Sequence, residues 1–348
     1  MNNSSNNALA TATTTRNGLK LFTCVFLAFA AFFLVFKRTD WFPWVGECHP
    51  NEKTGYFLAY CHSVRFGDYE HYAYFHESEP KAVEHAKAAN VVFLGSSNTQ
   101  FAFSTNAVSA FFANSPYSHY VLGFGHGAQS GVAEAVAQKL ELAPDVWVIN
   151  ADPFFTGEMN ATFARIYEPV SDKNETSNTW KFLPLWLRPD IHGEHARKRV
   201  LQQRQNTRCN ESAGEGFWCQ GGADTLHRNA ENGHWFVENY RDNLQLPVAN
   251  HATSHMEELN EYIGIAEEFT QRLGIDKRCL VITATPRSDT PKEYAQSLAE
   301  SIGAGFVFPP IDNLKTIDGF HLDRDSAERW SKVLMQELKV YLERCSIN

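Results

Sequence analysis

The chain lacks most of the signals by which a function is read at once. Its 31 Lys and Arg are outnumbered by 40 Asp and Glu, a formal net charge of −9. It therefore lacks the basic surface that releases counterions from nucleic acid, and non-specific nucleic-acid binding is excluded as a class. It has no long block of like charge, no internal repeat and no heptad run. A Walker P-loop and a dinucleotide fingerprint are both missing. None of its 7 cysteines forms a C-x-x-C pair. His251 and His255, and His192 and His195, have the spacing of ligands on a helix, but no H-E-x-x-H pattern accompanies them. No metal and no cofactor is expected. Apolar residues are not in short supply. Of 348 residues, 43% are hydrophobic and 13% aromatic, enough for a sizeable core and too many for a disordered chain. At about 100–200 residues per domain, this is one large domain with a tail, or two domains.

One long apolar run stands out, Leu21 to Phe36 (LFTCVFLAFAAFFLVF), with Lys20 before it and Lys37 and Arg38 after it. Residues 1–17, mostly Asn, Ser, Thr and Ala, read as a disordered tail. The run is slightly short for a hydrocarbon core of about 30 Å, but flanking bases can snorkel, and Trp41 and Trp44 suit the interface. A cleaved signal peptide is the rival. Its best small-x-small site, Ala28-Phe29-Ala30, lies inside the run, and cleavage there would leave FFLVF exposed. A buried core helix fits poorly with so terminal a position. Residues 18–37 are thus expected to form one transmembrane anchor. The flanking charges do not settle its orientation. Cys24 lies within the span, and the six remaining cysteines, an even number, suit an oxidising compartment. The expected topology therefore has a cytoplasmic N-terminus and a periplasmic, extracytoplasmic or lumenal C-terminal part. Proximity suggests Cys48–Cys61 and Cys209–Cys219, which leaves Cys279–Cys345; other connectivities, and six reduced thiols, stay open. Asn160, Asn174 and Asn210 begin glycosylation sequons, which matter only in a eukaryotic secretory pathway.

Residues 38–89 read as a membrane-proximal stem. From residue 90 short apolar runs alternate with helical patterns. Strands are expected over 91–94, 120–122, 146–149, 280–282 and 305–307, and helices over 106–113, 132–142, 256–273, 293–302 and 326–342. This alternation predicts an α/β fold, a mostly parallel sheet with helices on both faces. Residues of about 156–250 break the rhythm and read as an insertion or lid over the carboxyl edge of the sheet. The fold proper then spans 90–348.

Two short motifs carry chemistry. Gly95-Ser96-Ser97-Asn98 directly follows a strand and precedes a helical stretch. Such a turn can present a serine hydroxyl at the sheet end, with helix N–H groups aimed at one point. It can equally be an ordinary N-cap. Asp318-Gly319-Phe320-His321 follows a loop with Pro309 and Pro310 and precedes the last helix. An Asp three residues before a His can support the imidazole Nδ1–H while Nε2 accepts a proton; a turn Asp beside a surface or capping His is the plainer account. His126 could touch substrate or be an ordinary loop histidine. Arg287, near a sheet edge, could bind an anionic group or be an unrelated surface residue.

In order, spacing and context, the two motifs resemble those of the SGNH hydrolase family, the GDSL-like esterases. The resemblance covers roughly residues 90–342 and implies a flavodoxin-like three-layer fold. It makes Ser97 the nucleophile, His321 the base and Asp318 its support. The family's second block offers a glycine N–H to the oxyanion, here Gly123 or Gly125. Its third block is usually Gly-x-Asn-Asp. This chain has Ile149-Asn150-Ala151-Asp152, so Ala151 stands where the Asn is expected and Asn150 takes that role only if the loop shifts. The departure resembles membrane-anchored relatives that act on envelope polymers, such as the alginate acetylation proteins and the D-alanyl transfer protein of teichoic acid synthesis. What the resemblance implies is an anchored, exported serine esterase or O-acyltransferase acting on O-acyl, above all O-acetyl, groups of an envelope or secreted glycan. Its partners would be the glycan or acyl donor, the membrane, and a membrane acyltransferase or polymer exporter. Two other readings stay open: a non-catalytic glycan-binding or scaffold protein on the same fold, and a lipase or lysophospholipase.

Overall fold

The computed structural model describes residues 55–61, 69–77, 79–125, 130–152, 154–156, 225–237, 246–247, 259–286 and 292–345, with Thr23 and Val25–Leu27 near the N-terminus. Of the expected anchor, only those four residues are described, in helical conformation. Among the described residues no helix is long and apolar enough to cross a membrane.

Strand β1 (Tyr56–Cys61) comes first, then helices α1 (Tyr69–Phe75) and α2 (Pro80–Ala88). Pro80 opens α2, where its fixed φ and missing N–H cost nothing. Strand β2 (Val91–Ser96) runs straight into α3 (Ser97–Phe103), and α4 (Asn106–Ala113) follows, capped by the Thr105 hydroxyl. Then come β3 (His119–Phe124), α5 (Ser130–Lys139) and β4 (Val146–Asn150). Strands β5 (Thr225–Asn229), β6 (Trp235–Val237) and β7 (Leu246–Pro247) precede α6 (Leu259–Arg272) and β8 (Leu280–Thr283). The chain ends with α7 (Lys292–Ile302), β9 (Gly305–Phe306), β10 (Lys315–Thr316) and the long α8 (Arg324–Cys345).

Five strands form one sheet in the order β3-β2-β4-β8-β9, and every neighbouring pair is parallel. β2, β3 and β4 are buried along their whole length, because helices cover both faces; this is why they read as unbroken apolar runs rather than alternating ones. On one face α1, α2, α5, α6 and α7 contribute residues such as Tyr74, Val83, Val136, Phe269 and Leu298. On the other, α3, α4 and α8 contribute Phe103, Phe112, Trp330 and Leu338. The α/β class with helices on both faces is thus what the structure shows, and counted among these five strands the order is 2-1-3-4-5. Successive strands spread in opposite directions from β2, so the switch point lies between the carboxyl ends of β2 and β4, where ligand crevices form in such sheets.

A second, antiparallel sheet has the order β1-β5-β6. It joins a strand from the expected stem to two from the expected insertion. Its inner residues Ala59, Leu226 and Trp235 pack on Ile317, with Phe101 and Val237 alongside. The core itself reaches back to residues 73–89, since Ala73, Tyr74, Ala82, Val83, Ala86 and Ala89 are all buried in it. The β5–β6 turn docks on the start of β3. Val121 N–H donates to the Asn232 carbonyl at 2.9 Å, and the Nε2 atoms of His119 and His234 lie 2.9 Å apart. Burial pushes His119 down to about 4 and holds His234 well below its usual value, so one ring donates and the other accepts with no net charge.

Cys279 and Cys345 form a disulfide that ties the turn before β8 to the end of α8. The expected pairs Cys48–Cys61 and Cys209–Cys219, the sequons and the tail fall outside the described residues, apart from the position of Cys61 in β1.

Candidate active site

The site is built where β2 becomes α3. Gly95 and Gly123 sit side by side in the register of β2 and β3, and both are glycines for steric reasons. A Cβ on Gly95 would strike the Thr99 hydroxyl. One on Gly123 would lie 2.7 Å from the Ser96 carbonyl oxygen and 2.9 Å from the Gln100 nitrogen. The two glycines let the first turn of α3 sit directly against the sheet end. There the adjacent serines divide two tasks. Ser96, in extended conformation, is the N-cap and its hydroxyl accepts from Asn98 N–H at 3.3 Å. The Ser97 hydroxyl takes no part in this cap.

Its partner comes from 224 residues further along. Ser97 Oγ lies 2.8 Å from His321 Nε2, and His321 Nδ1 lies 2.7 Å from Asp318 Oδ2. With Nδ1–H donating to the carboxylate, Nε2 is the acceptor for the Ser97 hydroxyl. The turn is held from within. Asp318 Oδ1 accepts the backbone N–H groups of Phe320 and His321 at 2.9 and 2.8 Å, and Gly319 N–H donates to Thr316 Oγ1 at 3.0 Å. Burial pushes the Asp318 carboxyl up. The His321 charge, its ring N–H and the two backbone N–H groups together outweigh this and hold it well below the usual carboxylate range. Outside the turn, β10 pairs with β7, and Ile317 N–H donates to the His321 carbonyl at 2.9 Å. The Phe101 ring backs the imidazole at a centroid distance of 4.5 Å. Phe320, one position before His321, is 48% exposed.

Comparison with family models, curated proteins and solved structures returns no match.

The three residues singled out for nucleophile, base and support are therefore brought together in one hydrogen-bonded line. The three singled out for the oxyanion are placed differently. The Gly123 carbonyl accepts from Gln100 Nε2 at 3.2 Å and from Arg228 Nη2. Gly125 N–H donates to Glu70 Oε1 at 3.2 Å. Asn150 is fully buried; its Nδ2 donates to Thr285 Oγ1 at 2.8 Å and its Oδ1 accepts from Asp152 N–H at 3.2 Å. Asp152 Oδ2 in turn accepts from Thr285 N–H at 3.1 Å. In this structure Asn150 and Asp152 thus stitch the end of β4 to the loop after β8, and the Gly125 donor is engaged by Glu70. His126, Arg287 and the histidines at 192, 195, 251 and 255 lie outside the described residues. Among the described residues no three His, Cys, Asp or Glu side chains gather as metal ligands.

Sequence reasoning missed Phe101, Gln100, Glu70, Arg228 and Trp235. None of these carried a readable signal; Gln100 and Phe101 fall in a helix too short to show a period.

Proposed function

We propose that the protein is a serine esterase or O-acyltransferase whose nucleophile is Ser97. The observation that carries this reading is the line Ser97 Oγ, His321 Nε2, His321 Nδ1, Asp318 Oδ2, with separations of 2.8 and 2.7 Å. In the step proposed, Ser97 Oγ attacks an ester carbonyl carbon while its proton passes to His321 Nε2. The C–O bond to the alcohol breaks as His321 returns the proton to the leaving oxygen, giving an acyl-serine. Water or a second hydroxyl then attacks that carbonyl, with His321 again taking the proton, and Ser97 is released. Asp318 keeps the imidazole in the required tautomer and stabilises its charged form. The first oxyanion donor is Ser97 N–H, at the head of α3. Water as acceptor makes the enzyme an esterase; a sugar hydroxyl makes it a transferase.

The acyl group is placed on a glycan for two reasons. The uncharged run 21–36 supports an anchor that would hold the domain, exported, beside a membrane. Phe320, next to His321 in sequence and 48% exposed, supports recognition of a sugar ring. The test is labelling of the full-length protein in detergent with a fluorophosphonate, mapped by mass spectrometry. Adduct on Ser97, absent in Ser97→Ala and strongly slowed in His321→Ala, is the expected result, with short-chain acyl esters turned over faster than long-chain ones.

A non-catalytic, glycan-binding role is favoured by one observation. Gly125 N–H and Asn150 Nδ2, two groups that would serve an oxyanion, are bonded to Glu70 and Thr285. Glycan binding undiminished in a Ser97→Ala, His321→Ala variant, with no labelling of the parent, would establish that role.

A further inference from the structure

Among the described residues, a heavily bonded pair of buried charges lies beside the nucleophile helix and outside the proposed chemistry. Glu70 of α1 and Arg228 of β5 are 1% and 0% exposed. Arg228 donates to Glu70 Oε2 from Nε at 3.1 Å and from Nη2 at 2.7 Å. Trp235 Nε1–H adds a bond to the same oxygen at 3.0 Å. The other carboxylate oxygen accepts Gly125 N–H and lies 3.9 Å from His71 Nε2. The guanidinium is wedged among Tyr74, Phe124 and Trp235, whose ring centroids lie 5.4, 5.8 and 5.9 Å from it. Burial alone would push Arg228 down; the Glu70 carboxylate more than offsets this and holds it charged.

A buried ion pair adds little net stability, and well-packed apolar groups often replace one without loss. What this pair does is geometric. Its Nη1 donates to the Val121 carbonyl at 2.7 Å, and Nη2 to the Gly123 carbonyl. Those same two carbonyls accept from Gln100 Nε2, at 3.1 and 3.2 Å. Gln100 also accepts Trp235 N–H at 3.1 Å through Oε1. Helix α3, which carries Ser97, is thus registered against β3 through carbonyls that Arg228 fixes, and the residue after β3 is gripped by Glu70.

We propose that Glu70 and Arg228 are positioning residues that set Ser97 and the loop after β3 in their working geometry. The proposal rests on Ser97 being the nucleophile and adds that two segments remote from it in sequence complete its site. The test uses the full-length protein with the double substitution Glu70→Gln, Arg228→Met, which removes both charges and strands neither, and with Arg228→Lys, which keeps the charge but not the two-carbonyl bridge.

Fluorophosphonate labelling separates two quantities. Loss of folded protein lowers the final extent of labelling; mispositioning lowers the rate constant. The double variant is expected to label to full extent with a rate constant lower on the order of 10²-fold, and Arg228→Lys to fall between. Amide exchange is expected to speed up over Ser97–Ser104 and His119–Gly125, with Leu280–Thr283 unchanged. If the double variant does not fold, Arg228→Lys carries both measurements. Rate constants equal to the parent's, or exchange unchanged in the first two segments, would overturn the proposal. A parent that does not label at Ser97 overturns the nucleophile instead, and exchange still decides whether the pair positions α3 and β3.

Discussion

Ser96 and Ser97 have the same side chain and opposite fates, and what separates them is one step along the chain. The first is the last extended residue and its hydroxyl turns back on the helix; the second is the first helical residue and its hydroxyl meets His321. Both placements depend on Gly123, whose missing Cβ leaves room for the Ser96 carbonyl and the Gln100 backbone. Gly123→Ala is therefore expected to slow Ser97 labelling on the order of 10²-fold and to lower stability by about 1–3 kcal/mol, because backbone atoms cannot swing aside. Gly264→Ala, with nothing within 4 Å of the added carbon, should leave labelling unchanged. Paired rate and melting measurements check both. At this scale the sequence was informative but ambiguous. A turn rich in small residues reads equally as cap or nucleophile; in the structure Ser96 is the cap and the Ser97 hydroxyl bonds to His321.

Among the elements, α8 ties the molecule together. It buries Trp330 against Phe103 of α3, with ring centroids 5.4 Å apart, and the Asp318–His321 turn leads into its first residue. The disulfide fastens its far end to the turn before β8, closing a loop with a sequence separation of 66. Cys345→Ser is expected to lower stability by about 2–4 kcal/mol, read as a lower denaturation midpoint, with Ser97 labelling retained at low temperature. The elements legible in the sequence are those whose reason for existing is local. The central strands are unbroken apolar runs, and α6, α7 and α8 have clear helical spacing. The small sheet was not legible. Its strands β1 and β5 meet across nearly half the chain, and in β5 the consecutive residues Leu226, His227 and Arg228 are all buried, which erases any alternation. Arg228 reads as a surface residue until Glu70, brought from α1, makes its burial possible. Helix α3, of 7 residues, is too short to show a period.

For the molecule as a whole, the buried imidazole pair predicts how stability follows pH. His119 is held at about 4 in the folded state against 6.5 when exposed. Between those values the unfolded chain binds more protons, so stability rises with pH across the window; it is fully present above about 6.5 and lost as pH falls towards 4. For His119 alone the loss is about 3 kcal/mol at most. Asp318, whose carboxyl is depressed from 3.8, has the same sign but acts only below that value. Melting curves from neutral pH to about 4 should show the first window, and His119→Gln should flatten it. The same docking surface has another consequence. β3 is the outermost strand of its sheet, and an outermost strand ordinarily offers its backbone to any extended segment that diffuses past. Here the Val121 N–H and the Val121 and Gly123 carbonyls are already matched by Asn232, Gln100 and Arg228. One backbone carbonyl and two side chains stand in for a sixth strand, and at Val121 and Gly123 the edge is closed to the intermolecular pairing that begins aggregation.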